Sequence, residues 1–71
     1  MARELDTGYD SKNNRWEVYK AERGNWRWDK FNDKKRLLAA SKRAFKSKEE
    51  CKEDAEYHGM DGDYHTLLQS S

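Results

Sequence analysis

At 71 residues, 34% hydrophobic and 41% charged, the chain has room for one domain with a thin core. An aromatic content of 13% and a net charge of +1 set it apart from disordered chains, which combine few aromatics with high net charge. No stretch approaches the roughly 20 apolar residues of a membrane span, and the lone Cys51 excludes an internal disulfide, so a cytoplasmic location is expected.

Residues 1–14 are polar, with turn chemistry at Gly8, Asp10, Ser11, Asn13 and Asn14, and read as a flexible arm ahead of one domain over 15–71. Arg15 to Ala21 reads as a strand with Trp16 and Val18 on one face. The turn Glu22-Arg23-Gly24-Asn25 follows, with Gly24 suited to positive φ. Asn25 to Phe31 is the partner strand, where Trp26 and Trp28 alternate with Arg27 and Asp29. After a second polar turn at 32–35, Leu37 to Ser41 is apolar enough for a third strand. Ser47-Lys48-Glu49-Glu50 is a capping box that opens a helix over about Lys48 to His58. Cys51, Ala55 and His58 form its inward stripe, with Asp54 beside them and Gly59 as the stop. Tyr64 to Gln69 can form a last strand.

The expected fold is α+β, in the order β-β-β-α-β. A three-stranded antiparallel meander carries one helix, and the last strand pairs across a dimer. The expected core is Trp16, Val18, Trp26, Trp28, Leu37, Ala39, Phe45, Cys51 and Ala55. A domain this small with so little apolar content commonly gains stability by oligomerising.

The run Trp16-Glu17-Val18-Tyr19-Lys20, then Gly24-Asn25-Trp26-Arg27-Trp28, Leu37-Leu38-Ala39, Phe45-Lys46-Ser47-Lys48 and Cys51 resembles the YegP-like proteins. The resemblance covers roughly Arg15 to His58. It departs at 32–35, which lacks the family's glycine, at Lys30 and His58, which stand at apolar positions of the family, and by one extra residue between Leu38 and Ser47. It implies β-β-β-α-β units sharing one sheet. With a single unit present, it implies a homodimer in which Tyr64, His65, Thr66, Leu67 and Leu68 form the exchanged strand. It brings no catalytic residues.

Chemistry-bearing residues are few. Cys51, Asp54, His58 and His65 are the candidate metal or nucleophile–base residues. Cys51 and His58 would sit about 10 Å apart along a helix, too far to share one ion or one proton. No Gly-rich phosphate loop is present. A metal site, a cofactor, an enzymatic activity and a small-molecule substrate are therefore not expected.

Binding is the expected role, and charge offers two surfaces. Residues 15–48 carry twelve Lys/Arg against four Asp/Glu, whereas 49–71 carry one against seven. The first reading is a non-catalytic homodimeric adaptor module. The second is nucleic-acid binding, DNA above all, by a basic Trp/Arg-rich sheet, with Arg15, Lys20, Arg23, Arg27, Lys30, Lys34, Lys35 and Arg36 meeting phosphates and tryptophans stacking on bases. In architecture that sheet is similar to the arm-binding domains of phage integrases. The third reading is an inhibitor of the kind small phage proteins provide, docking Glu49, Glu50, Glu53, Asp54 and Glu56 on a basic protein.

Overall fold

The computed structural model describes the backbone of residues 2–21 and 23–70, and the side chains of 5–21 and 23–65. Five strands and one helix follow in order: β1 (Ala2–Tyr9), β2 (Arg15–Lys20), β3 (Trp26–Phe31), β4 (Leu37–Ala40), α1 (Lys48–Tyr57) and β5 (Tyr64–Ser70). All pairings are antiparallel, and the sheet order is β4-β3-β2-β1-β5. The class is α+β as expected, with a wider sheet than the expected meander.

The extra width comes from the segment expected to be a flexible arm. Residues Ala2–Tyr9 form β1, which pairs with β2 from Leu5↔Tyr19 to Tyr9↔Arg15 and with β5 from Ala2↔Ser70 to Gly8↔Tyr64. Its pattern hides the strand, because the inward positions among the described side chains are Asp6 and Gly8, a carboxylate and no side chain at all. Asp6 is 1% exposed and sits between two lysines of α1: Lys48 Nζ is 3.4 Å from one oxygen and Lys52 Nζ contacts the other. A buried charge requires such partners. Gly8 is tightly enclosed, since any Cβ there would collide with the Asp63 carbonyl and the Met60 methyl.

One face of the sheet carries the core. Trp16, Val18, Trp26 and Trp28 point towards α1, which contributes Cys51 and Ala55, and Phe45 and Met60 close the ends. Trp16 and Trp28 lie tilted at 5.0 Å between centroids. Each buried indole removes on the order of 150–250 Å² from water, roughly 4–6 kcal/mol before chain entropy is subtracted. Leu37 and Ala39, expected in this core, are exposed: α1 covers β2 and β3 and stops short of β4, and the register shift pairs Leu37 with Phe31 on the face away from α1.

The local signals that were legible behave as their chemistry dictates. Ser47 caps α1 by accepting from the Glu50 amide at 3.2 Å. At the other end Gly59, at φ 123°, permits the Gly59 amide to reach the Glu56 carbonyl and the Met60 amide to reach Ala55, a Schellman close that carries Met60 into the core. The three hairpin turns share one geometry: a tight turn followed by a left-handed residue, Asn13, Gly24 and Lys35 in order. In the first, Asp10 Oδ1 accepts from the Lys12 and Asn14 amides; in the third, Asn32 Oδ1 accepts from Lys34 and Arg36, all at 2.9 Å.

Candidate binding surface

The eight cations singled out in the sequence do not converge on one face. Strand alternation puts Arg15 and Arg27 on the side away from α1. Arg15 is tied to Glu17 at 2.8 Å and lies over the Phe31 ring. Arg27 and the Tyr19 hydroxyl are neighbours of Asp29. Burial, then the charge of Glu17, pushes the Asp29 carboxyl up, opposed by Arg27 and Tyr19. This open face thus pairs its own charges. Lys20 and Lys30 belong to the helix-side register, and Lys30 Nζ sits 5.1 Å from the Trp16 ring centre. Arg23 lies in the β2–β3 turn, at the opposite end of the sheet from Lys34, Lys35 and Arg36.

All three tryptophans are enclosed, at 0%, 9% and 2% exposure for Trp16, Trp26 and Trp28. Two are further fixed by their ring N–H groups: Trp16 Nε1 donates to Asp10 at 2.9 Å and Trp28 Nε1 to Asp54 at 2.8 Å. No indole is presented to a base. Asp54 is therefore taken up by the core side of α1, while Glu49, Glu50, Glu53 and Glu56 face solvent. Cys51 is fully buried, and burial, then the nearby Asp54 charge, pushes its thiol up to about 12. His58 sits at the helix C-cap against Trp28, its Nδ1 2.8 Å from the Asp54 carbonyl. The strand expected to exchange across a dimer pairs with β1 of its own chain. Tyr64 is half-buried against the core and His65 is exposed, whereas the side chains of Thr66, Leu67 and Leu68 lie outside the described residues. A shallow cleft of about 290 Å³, lined by Tyr9, Asn13, Arg15, Asn32, Asp33 and Lys35, separates the first and third turns.

The surface that does stand out was only half visible in the sequence. Residues 34–48 carry seven Lys/Arg and no Asp/Glu. Lys48 turns inward to Asp6, and the other six, Lys34, Lys35, Arg36, Lys42, Arg43 and Lys46, are exposed. Between the two groups of three runs β4, whose four residues are all exposed, with Leu37 at 59% and Leu38 at 50%. A register shift opposite Lys30 and Phe31 puts a bulge into this strand. Lys42, Arg43 and Lys46 carry no alternation signal, because they follow the strand instead of interleaving with tryptophan. The signal that finds them is the absence of any acid across fifteen residues.

β4 ends the sheet. The Ser41 amide donates to the Trp28 carbonyl at 2.8 Å, and Ala39 faces Lys30 two residues earlier. Antiparallel alternation therefore turns the N–H and C=O of the intervening Ala40 away from β3. The result is an apolar strip with outward backbone groups, bracketed by positive charge. No family model, no curated protein and no solved structure matches the chain.

Proposed function

We propose that the protein is a non-catalytic binding module that takes an acidic protein partner at the β4 margin. One observation carries the reading: an exposed apolar strip, Leu37 to Ala40, lies between two clusters of exposed cations. Protein interfaces have this anatomy, an apolar centre inside a polar rim. Isolated exposed leucines are ordinary, but contiguous ones rimmed by charge mark contact sites. Nucleic acid is the second reading, favoured by the six cations. It is the weaker one, because phosphates gain nothing from Leu37 and Leu38 and the tryptophans are enclosed. The YegP-like resemblance at Trp16–Lys20 and Gly24–Trp28 supports a small module of this kind, and the outer edge of β5, which has no strand neighbour among the described residues, supports self-association there.

The test is a titration with a synthetic peptide carrying three Asp/Glu on each side of four Val/Thr residues, beside mixed-sequence DNA and RNA. The peptide should bind at low salt and weaken by about tenfold or more between ~20 and ~200 mM salt, as exposed charges become screened. The double variant Lys35→Glu/Lys42→Glu should abolish binding. Absence of peptide binding at low salt, or tighter binding of DNA or RNA than of peptide, overturns the reading. Sedimentation at micromolar concentration tests self-association, and a monomer removes it.

A further inference from the structure

Resting on that reading, we infer that the partner joins β4 as a sixth strand: an extended segment of about four apolar or β-branched residues with Asp/Glu at both ends. Three observations converge. The edge of β4 has outward backbone donors and acceptors, with the Ala40 N–H and C=O turned away from β3. An open edge is a template for strand addition, in which main-chain bonds supply affinity and side chains supply selectivity. The four strand residues are themselves uncharged, so nothing along the strip repels an incoming strand.

The flanks decide which strand can enter. Proteins guard open edges with short strands, bulges and lysines; β4 is short and bulged, and lysines flank it on both sides. Against a second copy they work: antiparallel overlap of two β4 strands would bring the Lys34–Arg36 end of each copy towards the Lys42–Arg43 end of the other, cation against cation. Like charges placed opposite one another are destabilising. Against a segment with acidic ends the same residues become attractive. Cations sit at both ends of the strip, so the segment can run in either direction. The guard therefore acts as a filter that rejects self and admits an acidic strand.

The experiment is amide hydrogen exchange by NMR on the full chain, free and saturated with the acidic-ended peptide named above. The Ala40 amide should exchange about tenfold or more slowly in the complex. Ala40→Pro removes only a donor that β3 does not use, a substitution that edge strands accept. It should leave tryptophan fluorescence and circular dichroism as in the parent and weaken peptide binding about tenfold or more. Peptide that binds without slowing the Ala40 amide overturns strand addition while leaving the β4 surface as the binding site. Failure of the peptide to bind at all overturns both. If Ala40→Pro disturbs the fold, exchange in the parent protein alone decides.

Discussion

The Asp10 carboxylate offers a measurement in which two nearly identical turns act as each other's control. Asp10 and Asn32 each brace a turn by accepting two backbone amides at 2.9 Å. Asp10 does more: its Oδ2 accepts the Nε1–H of Trp16, whose side chain is fully buried, and, at a long 3.4 Å, the Asn14 side-chain amide. Asn32→Ala releases two amides beside solvent and should cost about 0.5–1.5 kcal/mol. Asp10→Ala releases an equivalent pair and also strands a buried indole N–H, worth a further ~1–3 kcal/mol, for a total of roughly 2–4 kcal/mol. Urea unfolding followed by circular dichroism gives both values, and the midpoint of thermal unfolding should fall by roughly 4–8 °C per kcal/mol. Removing the donor by Trp16→Phe and repeating Asp10→Ala in that background should shrink the cost of Asp10→Ala towards that of Asn32→Ala. If Asp10→Ala and Asn32→Ala agree within about 0.5 kcal/mol in the parent protein, the indole bond contributes nothing and the reasoning fails.

Acid should loosen the protein through the same residue. Burial pushes the Asp10 carboxyl up, but hydrogen bonds from Trp16, the Asn14 and Lys12 amides and the Asn14 side chain outweigh it and hold the group below its ordinary value. A depressed folded-state value means the stabilisation is complete above the ordinary carboxylate range and is lost as pH falls through the depressed one, so Asp10→Ala should flatten that acid limb of a stability–pH curve. Cys51 should resist iodoacetamide at pH 8 in the folded protein and react at once in urea, because its thiol is fully buried and pushed up to about 12; rapid native labelling would contradict the packing of α1. Asp6→Ala should cost about 1–3 kcal/mol, less than breaking a fully dry ion pair, because Lys48 and Lys52 can turn to water; an unchanged urea midpoint would place Asp6 outside the core. Gly8→Ala should destabilise more than an exposed strand alanine does, since its Cβ would meet the Asp63 backbone.

What could be read from the sequence was whatever local chemistry settles. The aromatic hairpin at Trp16–Trp28, the Ser47 cap and the Gly59 stop each depend on a few neighbouring residues, and each stands where periodicity or capping puts it. β1 was not legible, because its inward residues among the described side chains are Asp6 and Gly8, and both owe their places to distant partners: Lys48 and Lys52 for one, Met60 and Asp63 for the other. Met60 escaped for the same reason, as the Schellman turn, not any apolar periodicity, delivers it inward. Leu37 and Ala39 look like core by composition, but α1 does not reach Ala39 and the bulge turns Leu37 to the other face of the sheet. The binding surface follows that pattern. Lys34, Lys35 and Arg36 were singled out for their charge, whereas the apolar strip between them and Lys42 gains its meaning from being at the end of the sheet.

The antiparallel register of β1 and β5 sets Ala2 beside Ser70. Traction applied to those two neighbouring positions would load hydrogen-bonded pairs one after another, like a zipper, instead of all together in shear. Mechanical resistance should accordingly be low even where equilibrium stability is respectable. The same adjacency lets a short Gly/Ser bridge span from Ser70 to Ala2, so that a permuted chain opened at an exposed hairpin tip such as 33–35 keeps the sheet intact.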